Sequence, residues 1–290
     1  MTGVCRQPWC ALLLASAAFA MSAGGAAAAG TIDKIRAEQT IRIAYREDAP
    51  PFSYKAADRT EPVGYMVDLC RAVAAKLSDQ LGVPSLKATY VAVTAANRFD
   101  VIAKHEADLL CEPTSATLSR RAQVDFSIAT FVDGASLLTR NIGLKNLQAM
   151  AGHKIGVLSG TTTEESLRST LKDQGISAQV VPAKTHDEGL AMLDSGKVQA
   201  YFADHSILIF LLASSKAPEK LAIADNYLTV EPYALALPRG DEEFRLAVDT
   251  ALSHIYRSKD IDAIFQHTFA GRARPTQMLK ALYLLSALPD

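Results

Sequence analysis

"FVDGASLLTRN", residues 131–141, decides the fold together with its counterpart "LTVEPYALALPRG", residues 228–240. Each lies between two series of alternating strand-like and helix-like segments. The first leads out of one series into the next, and the second leads back towards the last helices. A chain that builds one lobe, crosses, builds another and returns makes two lobes joined by two extended strands, a pair that can hinge about a cleft. The expected division is 30–136 with 232–290 for lobe one and 137–231 for lobe two.

Working outward, lobe one reads as "TIRIAY" strand, "GYMVDLCRAVAAKL" helix, "KATYVAV" strand, "RFDVIAKH" helix and "ADLLC" strand. Met66, Leu69, Cys70, Val73, Ala74 and Leu77 recur at helical spacing, so one face of that first helix packs on a sheet. From Gly152 the pattern restarts with "HKIGVL", "TTEESLRSTLKD", "AQVVP", "HDEGLAMLDSG", "AYFA" and "SILIFLLASS". This alternation predicts an α/β fold with mostly parallel sheets flanked by helices. "SILIFLLASS" is apolar on nearly every side but too short to span a bilayer, so it reads as a buried core helix. The tail "PTQMLKALYLLSALPD" places Met278, Leu279, Leu282, Tyr283 and Leu285 on one side of a helix, which folds back on its own lobe or presents a docking or dimer surface.

Residues 1–29 carry Arg6, an apolar centre from Cys10 to Ala20 and a run of small residues, the pattern of a secretory signal peptide cut near Ala29. The expected product is a soluble exported protein of about 260 residues, enough for two cores. The whole chain has 30 Lys and Arg against 31 Asp and Glu, with no basic stripe to suggest nucleic acid. After the leader only Cys70 and Cys111 remain. In an oxidising compartment they pair, or they stay as two buried thiols; the sequence leaves both open.

In open α/β sheets, ligands bind outside the carboxyl ends of the strands, where loops converge and helix N-termini point into the crevice. Arg46 follows the first strand; Thr94 and Arg98 follow the second; Thr114, Ser115 and Arg120 follow the third. In the second half Ser159, Thr161 and Thr162 follow "IGVL", His186 follows "VVPAKT", and Asp204 follows "AYFA". Three arginines, one histidine, several hydroxyls and one acid suit a ligand richer in carboxylates than in amines. The planar guanidinium fork holds a carboxylate bidentately and does not deprotonate. Bland readings stand beside these: Thr161 and Glu164 form a capping box, Asp204 caps the helix at Ser206, and Arg121 is a solvated neighbour of Arg120.

The ordered stretches "REDAPPFSY", "VGYMVDLC", "NRFDVIAK", "DLLCEPTSATLSRRAQVDFS", "SGTTTEE", "AKTHDEG" and "AYFAD" resemble the periplasmic solute-binding proteins of polar amino-acid ABC transporters, above all the glutamate/aspartate-binding branch of extracellular solute-binding protein family 3. The resemblance covers essentially all of residues 31–270. It implies the periplasmic-binding-protein fold, two lobes closing on an acidic amino acid, and delivery to an inner-membrane permease by a monomer. It implies that Arg120 grips the α-carboxylate with Ser115, Thr161 and Thr162, that Asp204 takes the α-ammonium, and that Arg46, Arg98 and His186 hold the side-chain carboxylate. Phe52 and Pro113 complete the expected ligand-binding set.

The chain departs from that branch at Ala95 and Pro113, where similar proteins carry serines, and at Glu112, where they carry a small residue. A Glu112 facing the cleft would repel a second carboxylate. Competing readings are a periplasmic dehydratase acting on prephenate or arogenate, for which Glu112 and His186 are the acid candidates, and a sensory binding module. No nucleophile elbow, Walker loop or His/Cys ligand cluster is present in the sequence, so neither cofactor nor metal is expected.

Overall fold

β-branched and aromatic residues alternate through Thr40–Arg46 (β1), and its inward positions Ile41 and Ile43 are fully buried. Before it lies a short helix, α1 (Thr31–Glu38), and after it a two-strand hairpin, β2 (Asp48–Ala49) and β3 (Ser53–Tyr54). Lobe one continues with α2 (Tyr65–Leu81), β4 (Lys87–Val93), α3 (Arg98–Ala103), β5 (Leu109–Leu110) and β6 (Asp125–Asp133). The second lobe holds β7 (Ala135–Thr139), β8 (Lys154–Leu158), α4 (Thr162–Asp173), β9 (Gln179–Ala183), α5 (His186–Asp194), β10 (Ala200–Asp204), α6 (His205–Ser214) and β11 (Ala222–Ile223). The chain returns through β12 (Glu231–Leu237) to α7 (Glu242–Arg257), α8 (Asp260–Phe269) and α9 (Gln277–Ser286). This computed structural model describes residues 1–3, 30–140, 146–224, 226–258, 260–269 and 273–289. Apart from its first three positions, the expected leader lies outside the described residues.

Two five-stranded sheets result, in the orders β4-β1-β5-β12-β6 and β11-β7-β10-β8-β9. In each, three strands pair in parallel, a fourth (β12 or β7) joins them antiparallel, and the edge strand beyond it (β6 or β11) pairs antiparallel with that fourth strand. The molecule is therefore a two-lobed α/β protein whose sheets are flanked by helices.

The sheets change hands at Gly134, between β6 and β7. A Cβ at Gly134 would lie 2.3 Å from the Thr229 carbonyl oxygen, so only glycine lets the outgoing and returning segments run this close. Thr229 Oγ1 accepts from the Ala135 amide at 2.9 Å, and Glu231 is the register partner of Asp133.

Helix α2 buries Met66, Leu69, Cys70, Val73, Ala74 and Leu77, the face its spacing predicts, and stops at Gly82 in the left-handed conformation. A disulfide ties Cys70 on α2 to Cys111 just after β5, which anchors the start of the segment carrying Glu112 and Pro113.

Two expectations need correction. Helix α6 is not buried all round: Ile207, Leu208 and Leu211 face inward, but Ile209 is 52% exposed, and the Phe210 ring lies 5.8 Å from Tyr54 of lobe one. In α9, Leu279 and Tyr283 pack on lobe one, with the Tyr283 hydroxyl 2.6 Å from that of Tyr65, yet Met278 and Leu285 point outward. Among the described residues no helix is long and apolar enough to cross a membrane.

Candidate functional site

Strand ends from both sheets meet at one cavity. Arg46 closes β1, Arg98 opens α3, and Glu112, Pro113, Ser115 and Arg120 follow β5. From the second lobe come Thr161 to Thr163 at the start of α4, His186 at the start of α5, and Asp204 at the end of β10. Leu158, Phe202, Ala203 and Ile207 supply its apolar wall. Of the sequence-expected positions, Thr94, Thr114, Ser159 and Phe52 do not line this cavity. Phe52 departs because of its packing. It is fully buried in lobe one, edge-on to Phe131 at 4.9 Å and Tyr233 at 5.5 Å, where an aromatic ring belongs to the core.

Local sequence explains how several of these groups are held. Thr161 caps α4 by accepting from the Glu164 amide at 3.1 Å, while the Glu164 carboxylate accepts from the Gly160 amide at 3.0 Å. This is the expected capping exchange, displaced by one residue on the return arm. Thr185 and Glu188 repeat it at α5, which sets His186 at the first turn. Asp204 precedes α6 but makes no side-chain cap; the Ser206 amide donates to Asp133 instead, at 3.1 Å. Its carboxylate is thereby free to face the cavity, where Thr163 donates to it at 3.3 Å.

The Arg46 and Arg98 end is dense with charge. Arg46 Nε donates to Asp48 at 2.7 Å, and Nη1 lies 3.6 Å from Glu112. Arg98 Nε lies 3.3 Å from the other Glu112 oxygen, and its Nη2 crosses to the Gly160 carbonyl at 3.2 Å. Burial pushes Arg98 down to about 10, with Glu112 opposing and Arg120 and Arg46 reinforcing, so it stays charged at neutral pH. Burial pushes Glu112 up against the opposing pull of Arg98 and Arg46. His186 is held down at about 3 by burial and by Arg46, hence neutral, with Nδ1 3.1 Å from the Tyr201 hydroxyl.

The other end is acidic. Burial raises Asp204 well above its usual range, and Glu231 and Asp133 push the same way. Burial holds Asp133 up at about 6, although the Gly134 and Ser206 amides pull against it. Glu231 accepts from Thr162 at 2.8 Å and also from Ser115, linking both lobes to the returning strand. Arg120 lies between the two ends with Nη1 on the Ser115 carbonyl at 2.8 Å and its guanidinium 5.3 Å from the Phe99 ring. The hydroxyls of Thr117 and Ser119, 3.0 Å apart, pin the turn that delivers it: Thr117 accepts from the Arg120 amide.

Residues 41–271 match the family model of bacterial extracellular solute-binding proteins, family 3. The chain belongs to that family. It is 30% identical over 247 residues to a Pseudomonas aeruginosa protein named L-glutamate/L-aspartate-binding protein, covering 85% of this chain and 82% of that one. It is 28% identical over 281 residues to the glutamate/aspartate import solute-binding protein of Escherichia coli K12, covering 94% and 91%. An ancestral arginine-binding protein solved with glutamine has the same fold, with TM-score 0.71, 24% identity, and 80% and 98% of the two chains covered.

Within this family-3 protein, sequence reasoning missed Asp48, Asp133, Thr163 and Glu231. Thr163 had a signal, since it continues the Thr161–Thr162 run. Asp133 and Glu231 sit on the two crossings, and only their register shows two acids set opposite one another, an arrangement that destabilises an antiparallel pair unless a cation or a proton answers it.

Proposed function

We propose that this family-3 protein is the periplasmic binding component of an amino-acid importer, closing its lobes on glutamate or aspartate and presenting the complex to a membrane permease. One observation carries the reading: within a single interlobe cleft, Arg46 and Arg98 stand at one end, Asp204, Asp133 and Glu231 at the other, and Arg120 between them. A zwitterion with a second carboxylate matches that division. Arg120 retains free donors for an α-carboxylate, and the crowded acids Asp204, Asp133 and Glu231 gain by the arrival of an α-ammonium. Each charge-assisted hydrogen bond contributes about 1.5–3 kcal/mol, so a few of them outweigh the cost of ordering and give micromolar or tighter binding, about −8 kcal/mol or better.

The names of the curated relatives support the same ligand class. The protein acts as a carrier and not as an enzyme. Glu112 favours a second reading, since a buried carboxyl with a raised pKa suits a general acid. Calorimetry against L-glutamate, L-aspartate and their amides, with prephenate turnover followed in parallel, tests both: binding of acidic amino acids without turnover is expected, and turnover without amino-acid binding would reverse the choice.

A further inference from the structure

The arginine end of the cleft already holds a carboxylate. Glu112 is 1% exposed and sits between Arg46 and Arg98, 3.6 and 3.3 Å away. Arg46 Nε is committed to Asp48, and Arg98 Nη1 and Nη2 to the carbonyls of Ala95 and Gly160. Two cations therefore face two anions, and the charge balances without any contribution from a ligand. Three valences are left open here: Glu112 Oε1 accepts no hydrogen bond, because Arg98 Nε is close but not aimed at that oxygen, and Arg98 Nε and Arg46 Nη2 donate none. A buried acceptor lining a ligand cavity calls for a hydrogen supplied by the ligand.

We propose that Glu112 determines specificity by accepting a hydrogen from the distal group of the bound amino acid, so that an acidic ligand binds with one proton shared between its distal carboxyl and Glu112. This rests on the acidic-amino-acid reading above and deepens it. Two carboxylates meeting on the same pair of guanidiniums do not both stay ionised, and one proton is drawn from solvent on binding. The groups around Glu112 favour that site. Arg46 and Asp48 face it from β1 and β2, Arg98 from α3 and Arg120 from the turn after β5. From the second lobe the cavity adds a neutral His186 and, at its acidic end, Asp204. Burial already raises Glu112. An amide ligand brings its own hydrogen and needs no proton.

The test is titration calorimetry of the parent protein with L-glutamate in phosphate and in Tris, whose ionisation enthalpies differ, over pH 5.5 to 8.5. L-glutamine serves as the reference, because both ligands carry the same α-ammonium and so displace the same protons from Asp204 and Asp133. Glutamate is expected to take up about one proton more than glutamine, and its affinity to fall by up to about tenfold per pH unit above the shared titration while that of glutamine does not. Glu112→Gln is expected to bind glutamate without the extra proton. Equal proton counts for glutamate in the parent and in Glu112→Gln, or for glutamate and glutamine in the parent, overturn the role of Glu112 and leave the acidic-ligand reading intact. Absence of glutamate binding across the whole range overturns that reading itself.

Discussion

Thr162, at the start of α4 in the second lobe, donates a 2.8 Å hydrogen bond to Glu231, the first residue of the strand that returns to lobe one. Ser115 of lobe one donates to the same oxygen and stands 3.2 Å from the Thr162 hydroxyl. Ser115, Thr162 and Glu231 thus join a loop of lobe one, the start of α4 and the returning strand at one point of the cleft.

Thr162→Val keeps the shape of the side chain and removes that donor. A hydrogen bond to a charged group is worth about 1.5–3 kcal/mol, so ligand affinity should fall about tenfold or more while the melting temperature changes little. Calorimetry of the variant with L-glutamate checks this; unchanged affinity would mean that the bond does not support closure.

Asp133 gives the protein a pH signature. Its carboxyl holds a proton up to about pH 6 in the folded chain, whereas an unfolded aspartate releases it near about 3.9. The folded state therefore binds the proton more tightly, and the stability this gives is present at low pH and is lost as pH rises through about 6. That difference in proton affinity corresponds to about 3 kcal/mol. Asp133→Asn gives up one acceptor of the Gly134 and Ser206 amides, about 1 kcal/mol, but avoids the buried charge. Thermal melts should show the variant more stable than the parent at pH 7.5 and no better at pH 4.5. The same difference at both pH values would contradict the assignment.

The disulfide between Cys70 and Cys111 closes a loop of 41 residues. Constraining such a loop in the unfolded chain stabilises the fold by about 3–4 kcal/mol. Replacing both cysteines with serine should lower the denaturant midpoint accordingly; a midpoint equal to the parent's would show that the bond adds nothing.

Much of this was legible because periodicity and position carry it. The alternation of strands and helices announced two α/β units, and asking which polar residue follows each strand led to Arg46, Arg98, Arg120 and His186. Phe52 came into the same set with the family resemblance, although the chain turns after Arg46 and sends the ring into the core. Asp133 and Glu231 stayed hidden because their meaning depends on pairing between strands almost a hundred residues apart, which no local pattern records. Glu112 stood out as an odd residue, but whether it faced solvent or the cleft depended on the packing of α3 and β1 around it.

Arg120 bears the central claim, since unlike Arg46 and Arg98 it is not ion-paired with Glu112. The most direct measurement is calorimetry of L-glutamate and L-glutamine against the parent, Arg98→Ala and Arg120→Ala. The parent is predicted to bind glutamate at micromolar concentration or below, about −8 kcal/mol or better. Arg98→Ala should show an eroded preference for glutamate, and Arg120→Ala no measurable heat from either ligand. If Arg120→Ala binds glutamate as the parent does, the role given to this cleft is contradicted.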